Sequence, residues 1–201
     1  MDINSLDTKS QIFNVALRLF SENGYDKVSI RNISDVVGIK AASIYHHYSS
    51  KEEILDACYD FYLEHRYINR LDKKQYEPII RDGTKEEVFS VLHYIFPESI
   101  LENMILALFI IFSRKYTDVK AKEIYMCEVD NSMQYLEEFF NLGVKLGRFH
   151  EFNITAVSLV ILGFRLFIGQ STMIEPGKKT KWQRTEREIY EELPKLIPFK
   201  Y

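Results

Sequence analysis

Apolar side chains recur along this chain at intervals of three and four, not two. Between residues 8 and 23, Ile12, Ala16, Leu19 and Phe20 fall at i, i+4, i+7 and i+8, which is one face of a helix, and Gly24 supplies the stop. Ser29 stands where an N-cap would open a second helix with Ile30, Ile33 and Val37 on one face. Gly38 follows, where a left-handed turn would penalise any Cβ. A third helix of about two turns is expected over 41–48, with Ile44 as its core anchor. Ser50-Lys51-Glu52-Glu53 and Thr84-Lys85-Glu86-Glu87 both fit capping boxes. The first would start a longer fourth helix striped by Ile54, Cys58, Phe61, Tyr62 and His65; the second, a helix ending near residue 97. Residues 69–84 are polar, contain Pro78 and Asp82-Gly83, and are expected to be a connection. Further helices are expected at 99–116, 119–146, 153–172 and 180–193, separated by Gly147, Pro176-Gly177 and Pro194. No segment needs a strand, so the fold class is all-α.

Composition narrows the picture without setting it. The chain has 201 residues, is 46% hydrophobic and carries a formal charge of −3, an ordinary globular balance. Residues 1–51 hold six Lys/Arg against five Asp/Glu, so no basic surface of the kind usual in nucleic-acid binders is present. Cys58 and Cys127 lie far apart without metal or redox spacing and read as buried free thiols. The apolar run from Met104 to Phe112 is too short to span a bilayer, and Thr155, Ser158 and Arg165 interrupt the next one. The polar N-terminus lacks a signal-peptide pattern, so a cytoplasmic protein with no membrane association is expected.

The chemistry is concentrated between residues 28 and 51. A helix that enters the major groove needs an apolar anchor inside and small or hydrogen-bonding residues outside. Ile44 supplies the anchor, and Lys40, Ala41, Ala42, Ser43, His46 and His47 the outer side. Ser43 can bond a base edge or phosphate, and Ala41 and Ala42 can meet thymine methyls. Tyr45 and Tyr48 are long enough for flanking phosphates, although each also fits a core position. Ser29 and Arg31 open the second helix and Lys51 the fourth, where free backbone N–H groups and the helix dipole attract phosphate. His46 and His47 diverge by about 100° on a helix and have no further ligand at i+4, so no metal site is expected. No nucleophile elbow, zinc-protease, phosphate-loop or dinucleotide motif occurs, so neither catalysis nor a cofactor is expected.

These residues carry a resemblance. Ile12 through Phe20 with Gly24-Tyr25, Val28-Ser29-Ile30-Arg31-Asn32-Ile33-Ser34, the turn Val37-Gly38-Ile39, Ser43-Ile44-Tyr45-His46-His47-Tyr48 and Lys51-Glu52-Glu53-Ile54-Leu55 resemble the N-terminal domain of the TetR family of bacterial transcriptional regulators. The resemblance covers residues 8–55. It implies a three-helix DNA-binding head (residues 1–50) and a helical domain (51–201) that binds a small-molecule inducer and dimerises through its last long helices.

Within that frame the protein is expected to be a homodimeric regulator, a repressor released from a palindromic double-stranded DNA operator by an inducer. Phe61, His65, Phe89, His93, Met104, Phe109, Phe112, Tyr125 and Arg165 are candidate ligand contacts, with a purely structural role as the competing reading of each. Leu142, Gly143, Leu146, Leu159, Leu162, Gly163, Leu166 and Gly169 are the candidate dimer interface. The alternative is a helical small-molecule-binding or interaction protein whose DNA-binding head is weak or vestigial.

Overall fold

The computed structural model describes residues 7–67, 70–95, 102–174 and 197–200, with side chains described except at 93–95, 102, 165 and 167–174. Among the described residues the elements are α1 (Thr8–Asn23), a 3-10 turn (Tyr25–Lys27), α2 (Ile30–Val37), α3 (Ala41–Ile44), α4 (Lys51–His65), α5 (Lys73–Asp82), α6 (Lys85–Ile95), α7 (Glu102–Arg114), α8 (Val119–Lys145) and α9 (Ile154–Ile174). No strand occurs among them; one isolated bridge joins Phe149 to Phe199. The all-α expectation is met. The helix expected at 180–193 lies outside the described residues.

The caps explain where the helices begin. Asp7 accepts from Ser10 N at α1, and that hydroxyl and backbone pairing holds its carboxyl below the usual range. Ser29 and Asn32 form a complete capping box at α2, as do Thr84 and Glu87 at α6. At α4 the expected box is displaced by one residue. Ser50 accepts from Glu53 N, but the Glu53 carboxylate reaches back to the backbone and hydroxyl of Ser49.

The connection expected over 69–84 is instead largely helix α5. Asp72 and Gln75 box its N-terminus, and Tyr76 and Ile80 bury themselves one turn apart. Pro78 removes one backbone bond inside a helix already fixed by its cap and two core anchors.

The chain packs as two compact units, residues 1–66 with 100–125 and residues 67–99 with 126–201. This division differs from a boundary at residue 50. The core of the first unit combines Ile12, Ala16 and Phe20 of α1, Ile33 of α2, Ile44 of α3, Ile54, Cys58 and Tyr62 of α4, and Ala107, Ile110 and Ile111 of α7. The apolar faces of α4 and α7 complete the core begun by the first three helices. The second unit is built on aromatic rings. Phe149 lies within 5.5–6.3 Å, centroid to centroid, of Phe89, Phe139, Phe140, Phe152 and Phe199.

Cys58 is buried, which pushes its thiol up to about 12. Cys127, expected to be buried, is exposed on α8, where its sulfur accepts from the Asn131 amide at 3.2 Å. No described helix is long and apolar enough to cross a membrane.

Candidate nucleic-acid interface

The helix-turn-helix is built from the bottom by two anchors and one glycine. Ile33 and Ile44 are fully buried, so α2 and α3 pack against the same core. Between them Gly38 takes a left-handed conformation (φ 81°, ψ 29°) and its N–H bonds to Ser34 O, which turns the chain within a few residues. The α-helical part of α3 stops at Ile44. A tighter turn carries Tyr45, His46 and His47, with His47 N bonded to Ile44 O at 2.9 Å.

With Ile44 inward, the opposite side presents the expected reading residues. Lys40, Ala42, Tyr45 and His46 are exposed, Tyr45 at 55%, while Ala41, Ser43 and His47 are half-buried. Among the described residues no side-chain partner engages Ser43, Tyr45, His46 or His47. Tyr45 therefore points its phenol outward from a core-anchored turn with no internal hydrogen bond or ring contact among the described residues.

Three expected contacts are placed differently. Tyr48 is 4% exposed, and burial pushes its phenol up to about 12; it belongs to the core of the first unit. Ser29 spends its hydroxyl within its own capping box, donating to Asn32 Oδ1 at 2.6 Å and accepting from Asn32 N. Lys51 turns its ammonium inward, donating to Tyr25 O (2.9 Å) and Val28 O (2.8 Å) and lying 3.9 Å from the Tyr25 ring. It fastens the 3-10 turn to α4 instead of projecting from the helix end. Replacing Lys51 with Met is expected to cost about 1–2 kcal/mol of stability. The slope of DNA affinity against salt should stay the same, whereas a phosphate contact through this ammonium would lower the slope by about one. Arg31 is exposed and only loosely paired with Asp35 at 3.9 Å, so its guanidinium remains available to a phosphate.

Sequence spacing gave no sign of the second set of struts under this face. Arg114, at the end of α7, stacks over the Tyr25 ring at 4.3 Å and pairs with Asp26 and Asp118. Tyr25 donates to Glu52, and Tyr59 to Asp118. Burial alone would raise the Asp118 carboxyl, but the Ala121 N–H, the Tyr59 hydroxyl and Arg114 together hold it below the usual range. Asn103 of α7 donates to Asn14 of α1 at 2.8 Å. These partners stand far apart in sequence, where no local pattern could link them.

The candidate ligand contacts divide between the units. Phe61, His65, Met104, Phe109, Phe112 and Tyr125 belong to the first. There His65 stacks on Phe61 at 4.4 Å, and Phe112 meets Tyr125 edge-on at 5.6 Å. Phe89 is a core ring of the second unit, and the side chains of His93 and Arg165 lie outside the described residues. The second unit also has a cavity of about 230 Å³ lined by Tyr67, Arg70, Asn131, Gln134, Tyr135 and Glu138, none of them anticipated from the sequence. No group of three or more metal-ligating side chains occurs among the described residues.

The candidate dimer residues divide by face. Leu142, Gly143 and Leu162 are buried in the second unit, and Leu146 and Leu166 half-buried against it. Gly143 provides close approach for the chain's own Phe149 ring, which a Cβ would strike. Leu159 and Gly163 lie on the open side of α9 beside Val160 and Ala156. Gly169 lies where side-chain surroundings are not described.

The family model for bacterial regulatory proteins of the tetR family matches residues 12–58, which are α1 to the middle of α4. The biofilm operon icaADBC negative transcriptional regulator IcaR of Staphylococcus epidermidis is 42% identical over 60 residues, 28% of this chain and 32% of that protein. The chain thus spans about a third of the length of the curated relatives it matches. Likeness of fold extends further. A transcriptional regulator from Saccharomonospora viridis in complex with choline superposes with a TM-score of 0.66 at 15% identity, covering 96% of this chain and 98% of the other. AibR in complex with isovaleryl coenzyme A and operator DNA gives 0.63 at 18% identity, covering 96% and 100%. Residues 12–58 thus resemble the N-terminal domain of bacterial regulatory proteins of the tetR family, and the likeness beyond them is one of fold.

Proposed function

We propose that the chain is a homodimeric, ligand-responsive repressor that binds a palindromic operator through residues 1–50 and senses an inducer through residues 51–201. The observation that carries this reading is the Ser43–His47 face. It is core-anchored by Ile44, turned out by Gly38 and left without internal side-chain partners. Ser43, Tyr45, His46 and His47, with Ala41 and Ala42, would meet bases and flanking phosphates, while Lys40 and Arg31 add charge at the edges. The repressor role follows the IcaR relatives matched at the head, and AibR is a fold neighbour seen with operator and effector together. Choline and isovaleryl coenzyme A differ too much in charge and size for fold likeness to select an inducer. The reading makes the protein non-enzymatic and cytoplasmic, where its operator is.

Dimerisation is assigned to the open side of α9, where Leu159 is 56% and Val160 70% exposed beside Ala156 and Gly163. Four small or apolar residues on one side of a helix suit an isologous contact with a second copy. Signal transfer would run through α4 and α7. Both share a core with α1, and Lys51 and Arg114 grip the same tyrosine from two helices. Coupling of the usual size, about 1–3 kcal/mol, would lower operator affinity about 5- to 150-fold.

Fluorescence anisotropy with the DNA upstream of the protein's own gene tests the reading. Tyr45→Phe should weaken binding about fivefold, the worth of one hydrogen bond, with an unchanged Tm. Equal affinity for both proteins would remove Tyr45 from the interface.

A further inference from the structure

Lys115 is the most buried lysine among the described residues. Its residue is 8% exposed, yet no carboxylate pairs with it among the described residues. Its Nζ lies 3.1 Å from the centroid of the Phe112 ring, 4.6 Å from that of Tyr116 and 4.9 Å from that of Tyr125. One N–H is donated to Phe112 O at 3.2 Å. Phe112 and Tyr125 stand nearly perpendicular, at 79°, so they form two walls of a corner. Tyr116, 86% exposed, forms a third on the solvent side.

A cation is normally kept out of such a place unless a carboxylate pays for its lost water. Here ring faces do that work, and ring faces serve a group with no N–H bonds better than one with three. An ammonium offers up to three hydrogen bonds and the cage satisfies one; a quaternary ammonium asks for none. Lysine reaches the cage on a four-carbon stem from the turn that follows α7, so its head can leave for water.

We propose that the Phe112–Tyr116–Tyr125 cage is an effector site for a quaternary or other alkylated ammonium compound, held closed by Lys115 as an internal plug. Entry of the ligand expels the Lys115 head to solvent. The adjacent residue is Arg114, which holds Tyr25, Asp26 and Asp118, so moving the plug disturbs the strut under the reading head. The effector role rests on the proposal that the chain is a ligand-responsive regulator. The cage itself is tested without DNA, so failure to bind the ligand and failure to bind an operator are separate results.

The test is calorimetric titration of the intact chain with tetramethylammonium chloride at constant ionic strength, using wild type, Lys115→Ala and Lys115→Ala/Tyr125→Leu. A plug seated about nine-tenths of the time weakens the apparent affinity about tenfold. Lys115→Ala should therefore bind at least tenfold more tightly than wild type, and the added Tyr125→Leu should abolish the gain. A folded Lys115→Ala protein with no gain, or a gain indifferent to Tyr125, overturns the proposal. Should Lys115→Ala fail to fold, wild type with lysines 13C-labelled at Cε gives the answer by NMR. Lys115 ε-methylene signals shifted upfield by the rings should move to the free-lysine position as tetramethylammonium is added. Signals that stay in place at saturating salt-matched ligand overturn it equally.

Discussion

Leu159→Glu is expected to turn the protein into a monomer and lower operator affinity at least a hundredfold. Leu159 is more than half exposed beside Val160 on the open side of α9, so its side chain contributes little to the fold of its own protomer. At an isologous contact one substitution acts twice, placing two carboxylates near the twofold axis in a surface closed to water. A monomer then offers one head where the operator has two half-sites, and the second set of contacts is lost. Sedimentation checks the mass, and circular dichroism should show helix content retained. Leu162→Glu is the informative contrast. Leu162 is 4% exposed in the aromatic core of the second unit, so the same charge one turn away should unfold that unit. A Leu159→Glu protein that still sediments as a dimer would move the interface elsewhere.

Gly143→Ala is expected to lower the Tm by about 10 °C, through about 3 kcal/mol of lost stability. One methyl group on α8 would overlap Cδ2 and Cε2 of Phe149. That ring is 1% exposed and walled by five other phenylalanines, so it has nowhere to go. The Phe149 N–H also bonds to Gly143 O at 3.2 Å, tying the backbone to the same spot. Gly163→Ala should leave the fold of the protomer intact, because nothing of its own chain lies within 4 Å of the added Cβ and alanine prefers the helix. Thermal melts of both variants decide the matter; equal Tm values would mean that Phe149 can be seated another way.

The head was the most legible part of the chain because its signals are local. Caps, a left-handed glycine and anchors spaced by three and four fix α1 to α4, and each is readable within a dozen residues. Lys51 escaped that logic. Its position at a helix start suggests phosphate, but its partners are carbonyls 23 and 26 residues earlier in the chain. Helix α5 was hidden by Pro78, a strong breaker signal overruled by a cap at Asp72 and two buried side chains. Helix α9 is apolar on both sides, so periodicity could not tell Leu159 from Leu162. Gly143 was a candidate for the dimer interface, and no local pattern pointed to the chain's own Phe149 as the ring packed on it. The ligand candidates were the least legible, since a phenylalanine in a core and one in a cage leave the same trace in a sequence. Partial exposure and the position of the Lys115 head distinguish Phe112 from Phe89.

The central claim is that a nearly neutral head recognises DNA by a few placed groups. Selection of genomic DNA fragments by the intact protein, set beside a Ser43→Ala/Tyr45→Phe variant of equal stability, tests it most directly. The account predicts that wild-type fragments share an inverted repeat with half-site centres about 34 Å apart, or a multiple of that, and that the variant loses the enrichment. Fragments without a common sequence, or the same enrichment from both proteins, would contradict it.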